Sequence, residues 1–263
     1  MLRRTWALAA ALTLLACVPS TALATQSVKL SAGFSPDRPG ASTTISFGFQ
    51  ISAEHSQIPS PLTGIDLRYP ADLGLGTSDL GLATCLPSSL QIFGPAGCPA
   101  NSRMGYGSAF AEIPIGPVLV GEPASITLLA GPAQEGHLDF LVYALAEIPV
   151  YAQIIFSALL LPEPAPFGGR LHFDVPLVPS LPEAPDVAVV RLRTTLGSRG
   201  LTYYERVHGK TIAYRPNGIL LPSSCPRGGF PFAANLSFQD GTHAHAATRV
   251  PCPGSPRGVR RHG

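Results

Sequence analysis

The chain is predicted to be all-β, an antiparallel β-sandwich of immunoglobulin-like or jelly-roll-like type, built as one large or two small units. Three observations predict it. Apolar residues alternate with period two in several segments, proline and glycine (28 and 27 residues) punctuate the chain at intervals of about eight to twelve residues, and no stretch sustains a helical period beyond a turn or two.

The alternation places the strands. Ile45, Phe47, Phe49 and Ile51 would face one way while Thr44, Ser46, Gly48 and Gln50 face the other. Ile65, Leu67 and Tyr69 oppose Asp66 and Arg68 in the same manner, and Leu171, Phe173 and Val175 oppose Arg170, His172 and Asp174. These are strands with one buried face. The hydrophobic stretch Leu138 to Leu161 carries Asp139, Glu147, Pro149 and Gln153, which suits two buried strands turning near Pro149 better than a membrane span. One helix is expected, Pro87 to Phe93, with proline in its first turn. Pro162 to Phe167 and Val178 to Asp186 read as exposed loops.

Residues 1–24 have the order of a secretory signal peptide: Arg3 and Arg4, the apolar run Trp6 to Val18, then Ala22-Leu23-Ala24. The apolar run is about a dozen residues, short of the roughly 20 that cross a bilayer. Cleavage is expected after Ala24. The alternative is Leu14-Leu15-Ala16-Cys17, which resembles a lipobox and would give a surface lipoprotein acylated at Cys17. Losing the leader removes Arg3 and Arg4 and leaves 16 basic and 16 acidic residues, a neutral chain without the basic footprint that nucleic acid demands. The expected unit is then 25–252, with possible halves 25–135 and 136–252, followed by a disordered basic tail at 253–263.

Cys85, Cys98, Cys225 and Cys252 form an even set outside the leader, which implies disulfides in an exported protein. Of three possible pairings, the local one, Cys85 with Cys98 and Cys225 with Cys252, closes the shortest loops. Neither tight Cys-x-x-Cys spacing for zinc nor any cofactor-binding motif is present.

His243 and His245 are the candidate metal ligands, because residues two apart on a strand project to one side. Asp240-Gly241 reads as a two-residue hairpin turn, which would set Phe238 opposite His243 and Leu236 opposite His245, both apolar. His172 and Asp174 are a second same-face pair, placed opposite an apolar face and so expected in solvent. No Gly-x-Ser-x-Gly elbow or phosphate-cradling loop exists, and Glu112, Glu122, Asp139 and Glu147 are scattered carboxylates with nothing to single out a glycosidase pair. Tyr203 and Tyr204 would face opposite sides of a strand, one packed and one exposed, and so could not form a sugar platform.

The series Cys85, then Cys98-Pro99-Ala100-Asn101-Ser102-Arg103-Met104-Gly105, then Pro222-Ser223-Ser224-Cys225, then Asp240-Gly241 to Pro251-Cys252-Pro253 resembles uncharacterised exported proteins of soil actinobacteria, over roughly residues 60–253. The resemblance implies export and disulfides, and carries no activity or ligand. The resulting expectation is an extracellular or wall-associated protein with a structural or interaction role toward a cell-envelope component or a protein. The alternative from a different class is a secreted metal-dependent hydrolase using His243 and His245.

Overall fold

The computed structural model describes residues 26–54, 58–74, 80–180, 186–197, 202–215 and 218–253. Residues 1–25, which hold the expected leader and its Cys17 alternative, and residues 254–263 of the expected tail lie outside them.

Fourteen strands follow in chain order: β1 (Gln26–Ser35), β2 (Ser42–Ala53), β3 (Leu62–Pro70), β4 (Arg103–Ile115), β5 (Val118–Ala130), β6 (Asp139–Ala146), β7 (Ala152–Pro162), β8 (Phe167–Asp174), β9 (Ala188–Leu196), β10 (Tyr203–Val207), β11 (Lys210–Tyr214), β12 (Ile219–Leu220), β13 (Phe230–Phe238) and β14 (His243–Val250). One antiparallel sheet runs β1-β2-β9-β4-β5-β6-β7-β8-β3-β13-β14, with β12 added beside β2, while β10 and β11 form a separate ribbon. The expected sandwich is thereby corrected. A sandwich breaks its ladder into two sheets, whereas here the ladder is unbroken across eleven strands and its ends, β1 and β14, lie alongside each other. The result is a nearly closed barrel. Strands from 25–135 and from 136–252 interleave in it: β9 sits between β2 and β4, and β3 between β8 and β13.

The alternating segments behave as their periodicity dictates. Ile45, Phe47, Phe49, Ile51, Ile65 and Leu67 are buried inside the barrel, while β1, β2 and β9 turn Lys29, Gln50, Arg191 and Arg193 outward to water. β6 departs from alternation, and the packing explains it. Its inner residues Phe140, Val142 and Ala144 face the barrel interior, and its outer residues Leu141 and Tyr143 are covered by the helix α1 (Pro87–Phe93) through the fully buried Leu90. A strand covered on both faces reads as a continuous apolar run. The turn near Pro149 and the helix both fall where the sequence puts them.

A seven-residue helix is unstable alone in water. α1 is held by Leu90, by Gly94, which ends it at φ 61°, and by the Cys85–Cys98 disulfide that spans it. The second disulfide, Cys225–Cys252, ties the approach to β13 to the end of β14, so the local pairing is the one formed. A closed loop of about 15 residues contributes roughly 3 kcal/mol through the unfolded chain. Among the described residues no helix is long and apolar enough to cross a membrane.

β4 lies unusually close to β9. A Cβ on Gly107 would stand 2.3 Å from the Arg193 carbonyl oxygen, so only glycine permits this approach.

Side chains close the seam between β1 and β14. The buried Gln26 donates from Nε2 to Thr242 Oγ1 (2.9 Å) and Asp240 Oδ2 (3.3 Å), and its Oε1 accepts from the Ser60 amide at 3.1 Å. One side chain thus binds the start of β1, the β2–β3 connection and the β13–β14 turn. At the other end Phe34 stacks edge-on against Phe230, centroids 5.2 Å apart. Replacing Gln26→Ala would strip partners from part-buried groups, and we expect a loss of about 1–3 kcal/mol. Urea unfolding with disulfides intact measures it as a lower midpoint at constant slope; an unchanged midpoint would deny the clamp its role.

Candidate functional site

The barrel interior is packed unevenly. Toward β1, β2, β3, β13 and β14 it is packed by Phe47, Phe49, Leu236, Phe230, Phe232 and Phe238. Toward β4, β5, β6 and β7 the inward positions set Ala109, Ala111, Ala124, Ala144, Ala146 and Ala152 among larger residues such as Ile126, Phe140, Val142 and Phe156. An eleven-strand barrel is wider than the eight-strand size that side chains just fill, so a wall of methyl groups leaves space. That space is an apolar cavity of about 290 Å³. It is about twice the ~150 Å³ cavity that accommodates benzene, and close to the lower end of the roughly 300–1,000 Å³ range of small-molecule sites.

The cavity is long. On β9 its lining runs from Val189 to Leu196, about 20 Å at roughly 3.3 Å per residue. It reaches the end of the barrel formed by the β4–β5 turn, the β6–β7 turn and the β8–β9 connection, where Val150, Tyr151, Val178 and Pro179 line it. That end carries an apolar rim: Ile148 is 75% exposed, Tyr151 67% and Val118 57%, with Leu119 and Leu177 also in solvent. Exposed apolar groups gathered in this way mark a contact surface more often than chance.

Few polar side chains line the space. Glu122 is 4% exposed; its Oε2 accepts from the Val150 amide at 3.1 Å, and its Oε1 has no partner among the described residues. Tyr69 covers Gly169 on the facing strand, and burial pushes its phenol up from the ordinary value, keeping it a neutral hydroxyl. Thr194, Ser180 and Tyr151 are the other polar groups, and among the described residues no lysine, arginine or histidine belongs to the lining.

The residues singled out in the sequence lie elsewhere. His243 and His245 are exposed on the outer face of β14. Their expected apolar partners are corrected: His243 pairs with Ser237 and His245 with Asn235. The cause is the turn, which has three residues, Gln239, Asp240 and Gly241, closed by the Phe238 amide on the Thr242 carbonyl, with Gly241 at φ 80°. The register therefore moves by one, and His243 Nδ1 lies 3.1 Å from Ser237 Oγ and His245 Nδ1 2.6 Å from Asn235 Oδ1. Among the described residues no group of three or more His, Cys, Asp or Glu side chains gathers where a metal could sit.

His172 lies on the outer face of β8 within a charged network, with Asp66 Oδ1 2.8 Å from its Nδ1 and Asp174 Oδ1 3.5 Å from its Nε2. Asp66 also accepts from Arg170 at 3.0 Å, and Arg68 binds Glu163 at 2.7 Å. Half-exposed pairs of this kind stabilise little. Tyr203 is buried, its hydroxyl donating to the Arg103 carbonyl, and Tyr204 is exposed, as their alternation requires.

Compared with models of protein families and with curated protein sequences, the chain matches none.

The four carboxylates do not make a glycosidase pair of Glu122 and Asp139. Ala124 pairs with Ala146 and Ala130 with Phe140, so the two acids sit near opposite ends of the β5–β6 ladder, about 30 Å apart at roughly 3.3 Å per residue. Glycosidase carboxyls stand about 5–9.5 Å apart. Asp139 instead accepts from Gln134 and Ser157. Glu112 is directed to the opposite face of β4 from the cavity-lining Ala111 and Ile113, and Glu147 is exposed. Periodicity alone did not find the cavity. The available signal was alanine at the inward positions of adjacent strands, a residue with poor strand propensity that has no reason to recur there if the core is to be filled.

If the alanine wall borders empty space, Ala144→Leu adds buried surface without strain. We expect it to raise stability by about 0.5–2 kcal/mol, whereas in a filled core the same change would cost about 1–3 kcal/mol. Denaturant unfolding distinguishes the two by sign.

Proposed function

We propose that the protein is an exported, non-enzymatic β-barrel that binds an apolar small molecule in its interior. The observation that carries this is the cavity of about 290 Å³ whose wall is apolar from Ile45 and Leu196 at one end to Val150 and Tyr151 at the other. Water in such a space would find few of the two to four polar partners it needs, whereas an apolar ligand gains by leaving water. The reading narrows the expected structural or interaction role to a holding role, with the apolar rim as the place where ligand enters or a cell-envelope partner is met.

Export is supported by the leader-like residues 1–24 and by two disulfides, which persist in oxidising compartments. The hydrolase reading draws no support from His243 and His245, which hydrogen-bond across their own hairpin on the outer surface.

Calorimetric titration of the purified, disulfide-bonded protein with octan-1-ol tests the proposal. Saturable binding with a negative heat-capacity change is expected, at least tenfold weaker in Ala144→Leu, whose added side chain occupies the site. Absence of saturable binding to the unaltered protein would sink it.

A further inference from the structure

We propose that the cavity takes a linear amphiphile with a primary amine head group, and that Glu122 receives that head. The inference rests on the interior being a ligand site. A volume of about 290 Å³ drawn out along β9 is narrow, which suits an extended chain better than a fused ring system.

Glu122 stands where such a chain would end. It lies on β5 two residues beyond the Ala124–Ala146 pair, beneath the β6–β7 turn and near the mouth, while the apolar lining continues from it past Ile126 and Leu128 toward Leu196. A tail laid along that lining brings its head group to Glu122. Glu122 is 4% exposed and lines the cavity, and its Oε1 is buried and unpartnered among the described residues. Buried polar atoms are almost always satisfied, and an unsatisfied one on a side chain that borders an empty space is a place for a ligand atom to reach as the side chain adjusts.

The chemistry of the head follows from what the lining offers. A carboxylate has acceptor positions only, so it selects a donor. A primary ammonium brings three N–H donors and the opposite charge, and hydrogen bonds between charged partners are roughly twice as strong as neutral ones. The fold has already taken Glu122 out of water, so the pairing adds no further desolvation of the carboxylate to the ligand's own desolvation and lost freedom. A hydroxyl supplies one donor and no charge. A carboxylate ligand would set acceptors against acceptors, and among the described residues no lysine, arginine or histidine lines the cavity to hold it.

Glu122 also has a structural role, since its Oε2 accepts from the Val150 amide. Glu122→Gln keeps an oxygen for that bond and removes the charge, which separates the two roles. The experiment is calorimetric titration with octylamine, octan-1-ol and octanoate, first on the unaltered protein and then on Glu122→Gln. The expected order is octylamine at least tenfold tighter than octan-1-ol, with octanoate weakest. In Glu122→Gln the amine should lose that advantage while octan-1-ol binding stays within about threefold. If octan-1-ol binds and octylamine binds no tighter, the amine assignment is wrong and the apolar site stands. An amine preference that survives in Glu122→Gln likewise overturns the role of Glu122. Should none of the three bind the unaltered protein, both the assignment and the apolar site fall. The head-group comparison on the unaltered protein decides the ligand class even if the variant does not fold.

Discussion

The architecture depends on closing one seam without backbone hydrogen bonds. β1 and β14 are the two ends of the sheet, and the ladder that joins every other neighbour stops between them. An open sheet of this length would expose two edges to pairing with other chains. Gln26 at one end and Phe34 at the other bring the edges together, the first by satisfying groups on two other segments and the second by aromatic packing on Phe230 of β13, next to β14. Because β1 and β14 are drawn together, the inner faces of all eleven strands share one interior.

That interior is uneven, and the unevenness is written in residue size. Phenylalanines on β2 and β13 fill the half beside the seam, whereas β4 to β7 set alanines among their larger residues. The same strands that leave the interior hollow are reinforced from outside by Leu90 of α1 and the Cys85–Cys98 pair, packed on Leu129, Leu141 and Tyr143. Apolar burial lost on the inner face is recovered on the outer one, which is why β6 is apolar throughout.

Strand positions, the helix, the turn near Pro149 and the disulfide pairing were legible because each rests on local chemistry: period two, proline at a first turn, short loop closure. Sandwich and barrel share those local patterns and differ in whether distant edges meet. That is decided by Gln26 reaching residues more than 200 positions away, a contact no local pattern encodes. The histidine register was misread by one residue because Asp240-Gly241 serves both two-residue and three-residue turns, and only the Phe238–Thr242 pairing separates them. Glu122 was visible as a carboxylate in a strand, yet its inward direction depends on which face of β5 the barrel encloses.

The external brace on β5 to β7 separates two tasks that most cores combine. In a solid core each side chain both holds the fold and shapes the space, so a change in one disturbs the other. Here the outer faces of Leu129, Leu141 and Tyr143 are anchored by the helix and its disulfide, while Ala124, Ala144 and Ala146 on the inner faces border space. The inner positions that border space can therefore change in size without dismantling the outer packing that holds their strands, and a lineage carrying this barrel can change what it holds while keeping how it stands.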